Sequence, residues 1–438
     1  MRDITSIDYL VKCDGFICNC GKRHIGRLRD CHIGENALND WLVRMVEKYD
    51  SHHPFILCDR QTYDAAGGQV EWLLAQAGIA HTTHIIARDH PAPDERIVGE
   101  ALMYCGAECD MVIAVGGGVI NDTCKIIAAT RKLIDIYVAT APSMDGFASA
   151  SSSMEREGLK VSLSSKCPDV VIGDAAILAN APVHMIRSGI GDMVAKYVSL
   201  VEWRIAALLL GEYYCKSIEE VVRASLDKCV EAAPLAVTGD HEAVCRLTEG
   251  LVVSGLAMNY AGISRPASGM EHYISHIIDM RALEFGTPSD LHGIQCGVAT
   301  LMVIREYEKL RGMKPDREAA LAFVRDFSFE EWSEHLREQL GHGAEAMIEG
   351  EMREGKYDKV KHAKRLDCII EKWDDIMKIV GTLPSSTDIE EFFIRIGHPT
   401  SGEELGLTSD EMHEAFIMAK DIRDKYVLGR LLWDIGAV

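Results

Sequence analysis

The stretch MVIAVGGGVINDTCK, Met111 to Lys125, decides how the first part of the chain folds. Five apolar residues run without a break into three glycines, and helical spacing follows. An apolar run this short, bounded by glycine, is expected as a strand buried on both faces. Glycines after it permit a tight turn and close approach of the backbone to a ligand. The helix opening behind them offers unpaired N–H groups and a partial positive charge. The spacing is neither GxGxxG nor a Walker loop, so two readings stand: a structural bend or a phosphate cradle. A place at the carboxyl end of a parallel strand favours the cradle.

Working outward, the same alternation continues. PFILCD (54–59), HTTHII (81–86), DIYVATAP (135–142), LKVSL (159–163) and DVVIGD (169–174) read as strands, whereas EWLLAQAGI (71–79) and DERIVGEALMYCGA (94–107) read as helices. Strands alternating with helices imply a parallel sheet covered on both faces. After Pro182 the period becomes helical, in MIRSGIGDMVAKYVSLVEWRIAALLL (185–210), SIEEVVRASLDKCVEAA (217–233), HEAVCRLTEGLVVSGLAMNY (241–260), LHGIQCGVATLMVIREYEKL (291–310) and SDEMHEAFIMAKDIRDKY (409–426). The expected division is an α/β dinucleotide-binding domain over 1–180 and an all-helical metal- and substrate-binding domain over 181–438. Region 313–366, rich in Glu, Lys and Arg, is expected as a solvated helical insertion.

Composition narrows the functions. A formal charge of −21 argues against a nucleic-acid partner or an anionic membrane surface, though a pocket can still be locally positive. No window reaches eighteen uninterrupted apolar residues, so no membrane span is expected. MRDITSIDYL lacks the apolar run of a signal peptide, and fourteen cysteines then read as reduced thiols in a cytoplasmic protein.

Several residues could carry chemistry. Asp59 ends a strand, where a carboxylate binds ribose hydroxyls or simply caps a helix; Arg60 beside it leaves NAD against NADP open. VATAPSMDGFASASSSM (138–154) is dense in hydroxyls around one acid, Asp145, and reads as a loop or as a nicotinamide and substrate contact. GIGDMVAK places Asp192 early in the helical part, SGMEHYISH places His272 and His276 on one helical face, and PSDLHGIQCG places His292 near a helix start. One acid and two imidazoles give a divalent cation three ligands and leave a position open. HxxxH without an internal glutamate argues against a zincin protease. CDGFICNCGKRH offers Cys13, Cys18, Cys20 and His24; since structural zinc more often shows CxxC pairs, idle or buried thiols are the favoured reading and zinc the minor one.

GGGVINDTCK, TAPSMDGFAS, GDMVAK, SRPASGMEHYISH and LHGIQCG occur in the order found in the iron-containing alcohol dehydrogenase/glycerol dehydrogenase/3-dehydroquinate synthase superfamily, which the chain resembles. Within it, TAPSMDG and SRPASGMEH look like the sn-glycerol-1-phosphate dehydrogenase branch, and SGEELGLTSDEMHEAFIMAKDIRDKYVLGRLLWDIG resembles its bacterial members. The resemblance implies a dehydroquinate synthase-like fold: a Rossmann-like domain, an all-α domain, and metal and cofactor in the cleft between them. It implies Asp192, His272 and His292 as ligands of one divalent metal (Zn²⁺, Ni²⁺ or Fe²⁺). NAD(H) or NADP(H) would lie on Gly116, Gly117, Gly118, Val119, Ile120 and Asp122, with Asp59 on the ribose and Thr140, Ser143 and Ser149 on the nicotinamide side. Asp145 and His276 would serve catalysis and substrate, Asp192 would also meet the substrate, and Arg265 or Lys196 would hold its phosphate. The implied reaction is reversible reduction of dihydroxyacetone phosphate, a small phosphorylated triose, to sn-glycerol 1-phosphate, in a homodimer. The alternatives are a glycerol or other polyol dehydrogenase, a 3-dehydroquinate synthase-like lyase, and a non-catalytic nucleotide-binding regulator.

Overall fold

The computed structural model describes residues 7–12, 15–88 and 91–438; Cys13 lies outside them. The chain forms two compact units, residues 1–193 with 216–264, and residues 194–215 with 265–438. Helices Lys216–Ala236 and His241–Ala261 thus belong to the α/β unit, although their period resembles that of the helical part.

The main sheet of the first unit has six strands: β1 (Asp30–Gly34), β2 (Pro54–Asp59), β3 (Thr82–Ile86), β4 (Met111–Gly116), β5 (Ile134–Ala139) and β6 (Val170–Asp174). Their spatial order is β1-β6-β5-β4-β2-β3, and every neighbouring pair is parallel. β4 is buried at all positions, which is why its sequence does not alternate. From β2 the chain moves outward to β3, then returns to the other side of β2 and continues through β4, β5 and β6. The order therefore reverses between β2 and β4, and ligands of open α/β sheets bind at the carboxyl ends of such a pair. Leu57 pairs with Ala114, so two residues further along Asp59 and Gly116 end neighbouring strands at this switch point.

LKVSL, expected among the strands of the set, instead pairs antiparallel with Ser151–Arg156 in a separate hairpin over Leu159–Ser164. Glu157 and Gly158 both have positive φ (54° and 75°), the geometry of a tight two-residue hairpin turn. Local turn chemistry outweighed the strand–helix alternation there.

In the second unit, region 313–366 is helical, over Arg317–Arg325, Phe329–Leu340, Ala344–Glu354 and Lys359–Glu371. It is more than a solvated insertion. Val324, Tyr357 and Trp433 form a buried cluster with Phe327 and Trp332 packed against it. Arg430 stands 4.4 Å over the Tyr357 ring. Asp421 accepts hydrogen bonds from Tyr357 (2.8 Å), Arg430 (2.7 Å) and Trp332 (3.1 Å). Scattered aromatics thus anchor the charged helices to the C-terminal helix Leu428–Asp434. Among the described residues, no helix is long and apolar enough to cross a membrane.

Asp135, at the start of β5, is fully buried and neither carboxylate oxygen has a hydrogen-bond partner. Burial pushes its pKa up to about 7; Lys166 opposes the rise and Asp169 adds to it. A carboxyl with a raised folded pKa costs stability once pH exceeds its unfolded value, and the full cost is present above about 7. Asp135→Asn is therefore expected to raise Tm more at pH 8 than at pH 5, by the equivalent of roughly 1–3 kcal/mol at the higher pH. Equal melting shifts at both pH values would contradict this.

Candidate active site

The glycine turn in the α/β unit is built by packing. A Cβ on Gly116 would meet Ile120 Cγ1 at 2.6 Å and Cβ at 2.8 Å, so this glycine lets strand and helix approach each other. Gly117, N-cap of the helix Gly118–Arg131, makes no side-chain cap, and a Cβ there would meet only Met185 Cε, at 3.6 Å. Gly117, Gly118 and Val119 remain partly accessible, while Ile120 is buried. The open positions sit at the start of a helix, where an anion finds N–H donors.

Asp59 caps the short helix Arg60–Thr62: its Oδ1 accepts from Thr62 N–H at 2.8 Å, and Thr62 Oγ1 accepts from Asp59 N–H at 3.0 Å. The capping reading is thus realised, at the strand end where a ribose contact was also expected. Thr140 and Ser143 follow β5, next to β4; Thr140 N–H donates to Gly116 O (3.4 Å), and Ser143 O accepts from Ser188 (2.8 Å). Asp122 and Ser149, expected at the cofactor, both contact the buried Lys125. The buried Lys125 pairs with Asp122 at 2.7 Å and donates to Ser149 Oγ (3.2 Å), Gly146 O (3.1 Å) and Ser151 O (2.6 Å). Ser153 N–H also donates to Asp122 (3.1 Å), and burial raises that carboxyl's pKa against the pull of Lys125. A buried ammonium needs such acceptors, and this one ties the helix to the loop that follows β5.

Asp192 and Asp145 are both buried. Asp145 N–H donates to Asp192 Oδ2 (2.9 Å), and Ser254 donates to Asp145 Oδ2 (2.8 Å). Gly189, one turn before Asp192, has no room for a side chain, because a Cβ would overlap the Pro142 carbonyl. Helix and serine-rich loop are thereby pressed together, and the two acids meet.

The helical unit holds the imidazoles. His272 and His292 lie with Cys296 such that one ligand atom from each is within 4.8 Å of the others. His272 Nδ1 is 2.8 Å from Glu271 Oε1. That oxygen also accepts from Gly269 N–H at 2.7 Å. A carboxylate on Nδ1 fixes the proton there and leaves Nε2 as the ligand atom, the usual support of a metal-bound histidine. A Cβ on Gly269 would meet Glu202 Oε2 at 2.6 Å and Glu271 Oε2 at 2.7 Å, so a side chain there would displace both carboxylates. His292 Nδ1 is 3.1 Å from Ser275 Oγ, which accepts from Gln295 (3.0 Å); Gln295 also donates to Asp279 (2.9 Å). His276 stands with its ring 5.9 Å from that of His292. Two imidazoles with such supports fit a divalent ion. Glu271 and Cys296 were not anticipated; MEH and HxxxC around the singled-out histidines were the available signals. Burial pushes the Cys296 thiol up, but His272 and His292 outweigh it and lower its pKa overall.

Arg265, expected at the substrate phosphate, has protein partners. It forms a bidentate pair with Glu212 (2.9 and 2.7 Å) and donates to Tyr426 O (2.8 Å). Lys196 is fully buried. Lys425 donates to Ser268 O (2.7 Å), and burial, then Arg265 and Arg423, lower its pKa to about 7.

Residues 32–182 match a family model described as iron-containing alcohol dehydrogenase. A glycerol-1-phosphate dehydrogenase [NAD(P)+] of Bacillus velezensis is 37% identical over 288 residues, covering 65% of this chain and 73% of that protein. The chain belongs to the glycerol-1-phosphate dehydrogenase family. The family likeness extends over nearly the whole length, including 313–366: the Bacillus licheniformis member is 29% identical over 431 residues, covering 97% of this chain and 93% of its own. Glycerol dehydrogenase from Schizosaccharomyces pombe, of solved structure, shares the fold with a TM-score of 0.62 at 16% identity, over 94% of this chain and 89% of that one.

The glycines separate packing from binding. Gly116→Ala is expected to cost about 1–3 kcal/mol of stability, read by thermal melting. Gly117→Ala should leave Tm unchanged and raise the KM for NAD(P)H roughly tenfold, about 1.4 kcal/mol. The reverse pattern would contradict the assignment. Arg265→Ala should lower stability by about 2–4 kcal/mol by stripping Glu212 of its partner, with KM for dihydroxyacetone phosphate unchanged; a selective rise in that KM would return Arg265 to the phosphate.

Proposed function

We propose that the chain catalyses reversible, NAD(P)H-linked reduction of dihydroxyacetone phosphate to sn-glycerol 1-phosphate with one divalent metal. The observation that carries this reading is the carboxylate-supported His272 beside His292 in a chain 37% identical to a glycerol-1-phosphate dehydrogenase. Asp192, His272 and His292 are the proposed metal ligands. Imidazole and carboxylate suit Zn²⁺, Ni²⁺ and Fe²⁺ alike. When bound, the metal supplies Lewis acidity toward the ketone oxygen, and the nicotinamide supplies hydride.

The protein's part is to bind and orient. Gly117, Gly118 and Val119 present the helix N-terminus to the cofactor pyrophosphate. Asp59 retains its second carboxylate oxygen, Oδ2, for the adenosine ribose. Thr140 and Ser143 line the nicotinamide side. Asp145, fixed by Ser254, hydrogen-bonds a substrate hydroxyl. His276, one turn beyond His272, relays the proton that the product alkoxide gains. Lys196 meets the phosphate. The reading includes a homodimer in the cytoplasm.

The test is NAD(P)H oxidation with dihydroxyacetone phosphate against dihydroxyacetone, with the handedness of the product determined. Preference for the phosphorylated ketone and an sn-1 product are expected. Preference for free dihydroxyacetone would favour the polyol dehydrogenase reading. His292→Ala is expected to abolish turnover while NAD(P)H still binds by fluorescence titration.

A further inference from the structure

Away from the proposed active site, the α/β unit gathers a second set of metal-ligating side chains. Phe16–Ile17 and Arg23–His24 form a two-stranded antiparallel hairpin. Between them the chain turns over Cys18-Asn19-Cys20-Gly21, with Gly21 N–H donating to Cys18 O (3.0 Å), Cys18 N–H donating to Lys22 O (3.0 Å), and Gly21 at φ +84°. This turn brings both sulfurs to the same side as the His24 ring. One ligand atom from each of Cys18, Cys20 and His24 lies within 4.8 Å of the others.

The histidine carries the argument. His24 is fully buried, and its Nδ1 is 2.7 Å from the Tyr260 carbonyl. A carbonyl can only accept, so Nδ1 bears the proton and Nε2 the lone pair. Nε2 is 3.3 Å from Cys20 Sγ. Adjacent ligand atoms of a tetrahedral zinc are separated by about 3.5–3.8 Å, from bond lengths of about 2.0–2.3 Å, so the spacing is near that of a ligand pair. A ring nitrogen held by a backbone carbonyl, with the other turned toward thiols, is how proteins orient a metal-binding histidine. Tyr260 is fixed in turn, its hydroxyl donating to Leu10 O at 2.6 Å, and Phe16 packs on both rings.

A fourth thiol is tethered by the chain. Cys18 Sγ donates to Ser217 Oγ at 3.5 Å, and Cys215 is two residues before Ser217. Like Cys18 and Cys20, Cys215 forms no disulfide.

We propose that Cys18, Cys20, His24 and Cys215 bind a structural zinc ion, distinct from the catalytic metal. Three sulfurs and one nitrogen make a closed, soft donor set, which leaves no position for substrate and suits zinc. Each thiol loses its proton to solvent on binding and no electron is transferred. The ion pins the hairpin to the start of helix Lys216–Ala236, while His24 ties it to the end of His241–Ala261. The CxC spacing, awkward for one ion in an open chain, is accommodated because the intervening Asn19 sits in the turn.

The test counts metal per full-length chain by mass spectrometry after exhaustive dialysis. In His272→Ala/His292→Ala, which lacks the proposed catalytic imidazoles, one equivalent of zinc is expected to remain. In Cys18→Ser/Cys20→Ser, that equivalent is lost and the other stays. Because the cysteine variant can fail to fold, cobalt exchange into the histidine variant provides a second reading: a near-ultraviolet thiolate-to-cobalt charge-transfer band is expected, with the intense visible bands of a tetrahedral site. A histidine variant that retains no metal and shows no such band, or a cysteine variant with unchanged metal content, would overturn the proposal.

Discussion

Buried in the helical unit, the Glu271 carboxylate takes the proton on His272 Nδ1 as its hydrogen-bond partner and so determines which nitrogen can bind a metal. The arrangement has a structural cost. Glu202 lies close by, its oxygens accepting from Met270 N–H and Leu428 N–H at 2.9 and 2.8 Å. Burial, then the charge of Glu271, raise the Glu202 pKa to about 8. Two carboxyls so near each other need backbone donors and a glycine between them, and Gly269 provides both space and an N–H. The sequence SGMEH is thus one device: the glycine admits the acids, one acid orients the histidine, and the helix carries His276 one turn on.

The α/β unit obeys a separate constraint. Its strand order reverses between β2 and β4, placing Asp59 and the glycine turn at the ends of adjacent parallel strands. The three glycines do different things. Gly116 is demanded by Ile120, whereas Gly117 has room for a methyl group.

Much of this was legible from residue order. Buried parallel strands announce themselves as unbroken apolar runs, so MVIAV and PFILCD were plain, and the helical period after Pro182 was equally clear. LKVSL was misplaced because a five-residue β-branched segment carries no label for its sheet; the Glu157-Gly158 turn decides it. The histidines were legible as ligand types. The partners that fix their tautomers were less so: Glu271 was signalled only by its place beside His272, and Ser275 and Gln295 contact each other only when two helices meet. Nor do motifs show that Asp122 and Ser149 contact Lys125, or that Arg265 pairs with Glu212. Charge in a motif says nothing about which neighbour reaches it first. The CxC spacing makes zinc the minor reading; the weighing changes once His24 is seen buried with its Nδ1 on a carbonyl.

The most direct measurement is a zinc titration of metal-free protein in the Cys18→Ser/Cys20→Ser background, so that a single site is read, with and without Glu271→Gln. If Glu271 orients His272 as a metal ligand, the substitution weakens zinc binding about 10–100-fold. Unchanged affinity, with the protein still folded, would contradict the account, because His272 would then need no carboxylate to present its nitrogen.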